Sequence, residues 1–479
     1  LPRTAALATP QRSMKYVSTR GSAPVLDFEG VTLAGLASDG GLYVPEEWPR
    51  FAPDEIAAMA GLPYAELAVR VMAPFTAGSL TEDELRALCE AAYGTFAHEA
   101  VTPLVQLDHR HHLLELFHGP TLAFKDVALQ LLGRLFERFL SQRDDHLTIV
   151  GATSGDTGSA AIDAVAGREG VDIFMLHPRG RVSDVQRRQM TTVHAPNVHN
   201  IAIHGSFDDA QAVVKRMFVD PTLTERFRIG AVNSINWARL MAQVVYYFAA
   251  ALQLGAPQRQ IAFSVPTGNF GDVFAGYVAA RMGLPIKRLI VATNVNDILH
   301  RALSSGDYSA GEVTPTDAPS MDIQVSSNFE RLLFDLGGRD GAALAEQMRG
   351  FDAERAMQLT DNQREGAAGL FASVRATPED TAAAMRWAAE RCGEVLDPHT
   401  AIGLHAARTA DLDLAVPIVT LATAHPAKFP DAVERAIGQR PDLPSRIGNL
   451  FDLQERYDTL PGDYDTVRDY VAERATPSR

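Results

Sequence analysis

The sequence predicts an α/β fold with mostly parallel sheets, and three observations carry that prediction. Apolar runs of strand length recur from residue 146 onward, amphipathic stretches of helix length separate them, and the strand-to-helix junctions are rich in Gly, Ser and Thr. The runs are 146–150 (HLTIV), 172–176 (DIFML), 199–203 (HNIAI), 261–265 (IAFSV), 288–292 (RLIVA) and 417–422 (PIVTLA). Helical periodicity is read over 159–168, 207–219, 237–253 and 273–282. A different texture precedes them. Residues 14–95 carry two polar turns, Ser18-Thr19-Arg20-Gly21 and Asp39-Gly40-Gly41, then Leu42-Tyr43-Val44-Pro45 and helix-like stretches at 53–72 and 81–93. Thr81, with Glu84 following it, opens the second stretch as a reciprocal capping box. In a parallel sheet, ligands bind beyond the carboxyl ends of the strands. The strand-to-helix turns are therefore where chemistry is to be sought.

Composition narrows the function classes. The chain has 479 residues, 46% of them hydrophobic, enough for about three compact units at roughly 150 residues each. A net charge of −15 disfavours nucleic acid, whose phosphates call for basic surface. No apolar run approaches the roughly 20 residues of a membrane span. Two cysteines, Cys89 and Cys392, build no disulfide framework and lie in no metal-ligand spacing, which points to a reducing, cytoplasmic compartment. Residues 1–13 precede Met14 without an apolar targeting core and are expected to be a tag remnant or the product of a mis-assigned start. No internal repeat or low-complexity segment occurs. Only five of the 44 basic residues are lysine: Lys15, Lys125, Lys215, Lys287 and Lys428. Genomic drift toward arginine explains the bias. Where a fixed charge suffices arginine serves, so a retained lysine can mark a site that needs a deprotonable amine.

Three turns carry chemistry. In His118-Gly119-Pro120-Thr121-Leu122-Ala123-Phe124-Lys125-Asp126, a lysine stands at the start of a helix with an apolar face at 127, 128, 131, 132, 135, 136, 139 and 140. Apolar surroundings and the positive end of the helix dipole both favour its neutral amine, as a Schiff-base lysine requires. Gly151-Ala152-Thr153-Ser154-Gly155-Asp156-Thr157-Gly158 places glycines and hydroxyls at a second helix start, fitted to a carboxylate or phosphate but lacking a P-loop ending. Pro266-Thr267-Gly268-Asn269-Phe270-Gly271-Asp272 is a third such turn. Each alone is also compatible with ordinary turn chemistry. Together, two anion cradles and one candidate amine suggest an aldehyde cofactor held by its phosphate, namely pyridoxal phosphate. Arg239, in Asn233-Ser234-Ile235-Asn236-Trp237-Ala238-Arg239, could clamp a substrate anion. In Thr423-Ala424-His425-Pro426-Ala427-Lys428, Thr423 is placed to meet a ring nitrogen, and Lys428 is a rival amine with no glycine-rich cradle beside it. His109, His111 and His112 lack a fourth ligand and read as a solvated strand edge rather than a metal site.

These motifs, in this order, resemble the threonine synthases of the bacterial and fungal branch from Met14 onward. That family implies a fold-type II pyridoxal-phosphate enzyme, tryptophan synthase β-like, with two α/β subdomains of mostly parallel sheets plus a family-specific N-terminal domain. The implied partition is 14–95 for that domain, 96–145 with 236–479 for the large subdomain, and 146–235 for the small one. The resemblance implies that Lys125 is the catalytic and cofactor-bearing lysine, and that Gly268, Asn269, Phe270 and Gly271 bind the phosphate of pyridoxal 5'-phosphate. It implies Thr423 at the ring nitrogen, Asp156 near the ring oxygen, and Thr153, Ser154, Gly155 and Thr157 at the substrate carboxylate. Ser234 and Arg239 match positions that hold the substrate phosphate. The implied reaction is that of a carbon–oxygen lyase acting on phosphates, turning O-phospho-L-homoserine and water into L-threonine and phosphate in a monomer or homodimer. One departure stands out: the wider superfamily usually has Asn where this chain has Asp156, and a carboxylate beside a phenolate oxygen is repulsive unless a proton is shared. A serine or threonine dehydratase of the same fold, and a catalytically silent relative that binds phosphorylated ligands, are the alternative readings.

Overall fold

A computed structural model describes residues 13–478, so the segment expected to be an extension lies outside the described residues except for Ser13. Two sheets organise the chain. The larger has six strands in spatial order Phe371–Arg375, Ile286–Thr293, Ile261–Pro266, Ile418–Ala422, His111–Glu115 and Leu104–Gln106, with only the last pair antiparallel. The smaller has five parallel strands, Asp458–Pro461, Val198–His204, Val171–Pro178, Leu147–Ala152 and Arg228–Gly230. Antiparallel ribbons join Tyr16–Ser18 to Tyr43–Pro45 and Asp307–Ser309 to Ala356–Gln358. Each of the six apolar runs forms a strand, and the helix Trp237–Gln253 has its expected bounds. Among the described residues no helix is long and apolar enough to cross a membrane.

Most strands that the apolar pattern did not announce lie at sheet edges, where solvent-facing polar residues interrupt the run. His111–Glu115 is the exception, and it corrects the reading of the histidines as a solvated edge. Leu104–Gln106 folds back along it, so it is an interior strand. His112 is buried with Nδ1 3.2 Å from the Arg110 carbonyl, and His111 Nδ1 lies 3.0 Å from Asp108. Only His109 faces solvent. In the N-terminal unit the stretch 53–72 is broken in two, Pro53–Ala57 and Tyr64–Thr76, with Pro63 at the second cap. Thr81 and Glu84 form the expected capping box on Glu82–Tyr93.

The N-terminal unit has no core of its own. A single apolar cluster runs from Tyr16 to Leu421. Trp237, fully buried at the start of its helix, has ring centroids 5.8 Å from Tyr16, 5.6 Å from Phe75 and 6.1 Å from Trp48. Helix Lys125–Arg143 lies in the middle of this cluster with its expected apolar face buried. Gly133 lets it approach the helix Asp156–Val165 closely, since a Cβ there would stand 2.3 Å from the Ala164 carbonyl oxygen.

The expected partition, with 236–479 in the large subdomain, differs from the structure at the C-terminus. Asp458–Pro461 pairs in parallel with Val198–His204, and Tyr464, Val467 and Val471 of the following helix fill the core of the smaller sheet. The segment Asp-Thr-Leu-Pro is short and mostly exposed, as an edge strand tolerates, and its apolar signal is accordingly weak.

Candidate active site

Lys125 is the first residue of its helix, delivered by a loop that is zipped to the neighbouring chain segment. Phe124 N–H donates to the Thr423 carbonyl at 2.8 Å, and His425 N–H donates to Leu122 at 3.0 Å. These bonds make an isolated antiparallel bridge, Ala123 to Ala424, just past the end of the strand Ile418–Ala422. Asp126 locks the loop from inside, accepting from Thr121 N–H at 2.8 Å and Thr121 Oγ1 at 2.6 Å. Burial pushes the Asp126 carboxyl up to about 6 despite those bonds. The Lys125 amine is buried, 4.8 Å from the Phe124 ring centroid, and among the described residues its single hydrogen-bond acceptor is Asp156 Oδ2 at 3.3 Å. Burial lowers its pKa, the charges of Lys428 and Arg239 add to that, and Asp156 opposes it.

Asp156 opens the next helix and sits between two lysines. Its Oδ1 is 3.0 Å from Lys428 Nζ and accepts from Gln186 Nε2 at 2.8 Å. Burial alone would raise this carboxyl, but Lys428, Lys125 and Gln186 together hold it well below the usual carboxylate range. Two lysine side chains and the Gln186 amide thus surround this carboxylate. Lys428 is not the isolated rival that its sequence context suggested, because the fold brings it into the same cluster. Its Nζ also donates to the Thr121 carbonyl at 2.7 Å and to Gln189 Oε1 at 3.1 Å, and the side chain is wholly buried. The rest of this turn divides by role. Thr153 Oγ1 accepts from the amides of Gly155 and Gly158, each at 2.9 Å, and so shapes the loop. Gly155 has φ +140°, a region closed to L side chains, and a Cβ there would meet Gln186 at 2.4 Å. Ser154 is exposed and Thr157 half-buried, leaving their hydroxyls open to a ligand.

The turn Gly268–Gly271 leads into the helix Gly271–Arg281 through Phe270, whose φ is +62°. Two of its carbonyls are engaged by the segment 326–328: Gly268 O accepts from Ser326 Oγ at 2.7 Å, and Asn269 O from Asn328 N at 3.1 Å and Nδ2 at 3.0 Å. The amides are thereby left toward the helix end, where an anion is stabilised. Asn328 Nδ2 also reaches the Ser234 carbonyl at 3.1 Å, which draws the segment 233–239 against this turn. Arg331, fully buried, completes the frame, with bonds to the carbonyls of Tyr43 at 3.0 Å and Ile235 at 2.6 Å and a close bond to Asn328 Oδ1. Arg239 is buried in the first turn of its helix, with Nε and Nη1 lacking any protein partner among the described residues. Burial lowers its pKa to about 10. A guanidinium buried with unmet donors is a costly arrangement that an anionic ligand would relieve.

Thr423 follows the strand Ile418–Ala422 and is held from behind. Its N–H donates to Thr400 Oγ1 at 3.2 Å, and that hydroxyl makes a close bond to Asp397. Asp397 Oδ1 lies 2.8 Å from His399 Nδ1, while His399 Nε2 accepts from Ser320 N–H at 3.3 Å. The Ser320 carbonyl abuts Gly268, so this network links the Thr423 side of the site to the Gly268–Gly271 turn.

Sequence patterns alone missed Gln186, Gln189, Asn328, Arg331 and the Asp397–His399–Thr400 group. Gln186 and Gln189 share one face of the helix Asp184–Thr191, and Asp397 before Pro398 is a readable helix cap. Asn328 and Arg331 have no such local signal, since their partners lie far away in the chain.

Comparison with known proteins identifies the lineage. Residues 15–93 match the family model described as threonine synthase N terminus, 95–369 that of pyridoxal-phosphate dependent enzymes, and 400–471 that of threonine synthase, C-terminal. The chain is 57% identical to a threonine synthase of Pseudomonas aeruginosa, over 96% of this chain and 98% of the relative. The chain belongs to the threonine synthase family. As a member of that family it is a pyridoxal-phosphate-dependent enzyme of fold type II. The threonine synthase of Saccharomyces cerevisiae is 40% identical, covering 97% of this chain and 98% of the relative. Among solved structures, the pyridoxal-phosphate-bound threonine synthase from Brucella melitensis superposes with a TM-score of 0.95 at 53% identity, over 96% of this chain and 99% of that one. The yeast threonine synthase structure follows with a TM-score of 0.92 at 39% identity, over 96% and 99%.

Proposed function

We propose that this threonine synthase family member acts as a carbon–oxygen lyase on phosphates, converting O-phospho-L-homoserine and water to L-threonine and phosphate in the cytoplasm. The observation that carries this reading is Arg239, a buried guanidinium with two unpartnered nitrogens close enough to Lys125 to depress its pKa. It comes from a different element than the Gly268–Gly271 amides, and the two together offer donors for two anions, a cofactor phosphate and the phosphate of a substrate. The first receptor fits pyridoxal phosphate by its helix-end amides and by the buried amine of Lys125. Gly268, Asn269, Phe270 and Gly271 would hold its phosphate, Thr423 would face its ring nitrogen, and Asp156 would lie toward its ring oxygen. When bound, the cofactor supplies an electron sink that stabilises negative charge at the substrate Cα.

The protein's own groups account for the rest. Ser154, Gly155 and Thr157, with the loop shaped by Thr153, receive the substrate carboxylate; Ser234 and Arg239 receive the γ-phosphate. Lys125, with its lowered pKa, takes the Cα proton. Loss of a Cβ proton lets phosphate leave Cγ with the electron pair of the C–O bond. Water then adds at Cβ, and protons return at Cγ and Cα. Burial of Lys125, Asp156 and Arg239 keeps these groups out of bulk water, which strengthens their interactions with a bound substrate.

The test is release of phosphate and threonine from phosphohomoserine by wild type and Lys125→Ala. Equal amounts of the two products from wild type, and loss of both in the variant by a factor of about a thousand or more, are expected. Keto acid formed from serine without phosphate release from phosphohomoserine would replace this reading with a dehydratase. An unaffected variant would remove Lys125 from the chemistry.

A further inference from the structure

The two buried lysines of the site differ in how their nitrogens are occupied. Lys428 Nζ has three oxygens around it, Asp156 Oδ1 at 3.0 Å, the Thr121 carbonyl at 2.7 Å and Gln189 Oε1 at 3.1 Å. The Thr121 and Gln189 oxygens accept hydrogen bonds from it, and the Asp156 oxygen is an ion-pair contact. A neutral amine with its two hydrogens so committed would turn its lone pair toward the carboxylate, whereas an ammonium meets it with opposite charge. Gln189 cannot turn its amide nitrogen to Lys428 instead, because Nε2 already donates to the Thr121 carbonyl at 3.0 Å. Lys125 Nζ, by contrast, has one oxygen partner among the described residues, Asp156 Oδ2 at 3.3 Å. One carboxylate therefore serves two amines, one of them also hydrogen-bonded to two further oxygens.

We propose that Lys428 is a positioning residue that acts as a fixed counter-charge: hydrogen-bonded to two neutral oxygens and ion-paired to Asp156, it claims the charge of Asp156 and leaves Lys125 as the amine of the pair that sheds its proton. The inference rests on the assignment of Lys125 as the reacting amine. In this arrangement Lys428⁺, Asp156⁻ and neutral Lys125 form a cluster of zero net charge, the least costly state for three buried ionisable groups. Protonating Lys125 would add a second buried ammonium beside the first. Other charged groups facing the cluster are Arg239 from the helix Trp237–Gln253, Asp126 beside Lys125, Asp272 from the helix Gly271–Arg281, and His399 with Asp397. None of these is within the Lys428 coordination shell, so removing Lys428 leaves Asp156 with Lys125 as its only cationic contact.

The proposal predicts effects of opposite sign from the two partners. Lys428→Met leaves Asp156 to pair with Lys125 and favours the charged amine. Asp156→Asn leaves Lys125 beside Lys428 alone and favours the neutral amine. The double variant removes both influences, and Lys428→Arg keeps the counter-charge. The full-length protein, stripped of cofactor and accepted only if pyridoxal phosphate restores its absorbance, is labelled with acetic anhydride, and acetylation of Lys125 is followed by peptide mass spectrometry. Without substrate in the assay, the result is independent of which amino acid the enzyme turns over.

At neutral pH we expect labelling of Lys125 to slow at least about tenfold in Lys428→Met, to quicken in Asp156→Asn, and to return to within about threefold of wild type in the double variant. Lys428→Arg should lie closer to wild type than Lys428→Met. Unchanged labelling in Lys428→Met, or a double variant that stays as slow as it, would overturn the proposal. If Lys428→Met yields no folded protein, Asp156→Asn decides alone, because unchanged or slower labelling there contradicts the charge balance.

Discussion

Replacing Gly268 by alanine tests the anion turn directly. A Cβ at this position would stand 2.5 Å from the Ser320 carbonyl oxygen. An ordinary carbon–oxygen contact is about 3.3 Å, so about 0.8 Å must be found by moving the turn or the carbonyl. The carbonyl is poorly placed to yield. Ser320 N–H is held by His399 Nε2 at 3.3 Å, and His399 Nδ1 is held 2.8 Å from Asp397. The Gly268 carbonyl is itself tied to Ser326 Oγ at 2.7 Å. The displacement therefore falls largely on the turn's amides. A hydrogen bond to a charged oxygen contributes about 1.5–3 kcal/mol, and a shift of this size takes one strong bond or two weaker ones out of range, a loss of about 3 kcal/mol. Cofactor affinity should fall about a hundredfold to a thousandfold. The assay is titration of the stripped protein with pyridoxal phosphate, followed by absorbance. Gly350→Ala is the control: nothing lies within 4 Å of a Cβ there, inside the helix Gly341–Glu354. That variant should gain up to about 1 kcal/mol in stability with no change in cofactor Kd. Binding by Gly268→Ala within about threefold of wild type would refute the reasoning that this turn cradles the phosphate.

Two further variants bear on the buried charges. Burial pushes the Asp272 carboxyl up to about 7, against hydrogen bonds from Tyr246 and Tyr247 and the charge of Lys125. Its folded-state pKa exceeds the unfolded value, so its contribution is complete below about pH 4 and lost as pH rises through about 7. Asp272→Asn keeps Oδ1 as the acceptor for both tyrosine hydroxyls and cannot ionise, so it should flatten the thermal stability profile across that window and exceed wild type above about pH 8 by about 2–4 kcal/mol. Parallel profiles for the two proteins would exclude this account. Arg239→Met removes a buried charge with two unmet donors, and should raise thermal stability in phosphate-free buffer by about 1–3 kcal/mol while raising KM for phosphohomoserine about a hundredfold or more. Added phosphate should stabilise wild type and not this variant; equal stabilisation of both would place the anion elsewhere.

Local signals were sufficient for much of this molecule. The strands Leu147–Ala152 and Ile261–Pro266 are apolar runs bounded by turn residues, so short-range pattern and burial agree on them. Lys125 was legible for the same reason, as a lysine opening an amphipathic helix behind Gly119-Pro120 in a chain with five lysines. The edge strand Asp458–Pro461 was not, because half its polar groups face water and its apolar content is small.

Short stretches of chain carry the parts: an α/β pattern, a candidate amine, and turns whose glycines and hydroxyls suit anions. Those properties reside in a few consecutive residues and need no distant partner. Only the tertiary structure decided how the charges are shared. Thr121 and Lys428 are 307 positions apart yet 2.7 Å from contact to contact, and Asp156 finds both its lysines across separate elements. Arg331 likewise gains its meaning from carbonyls at Tyr43 and Ile235, which no spacing rule connects to it. A buried charge is governed by the few groups within a few ångströms, where the low dielectric makes each one count, and chain folding alone chooses those neighbours.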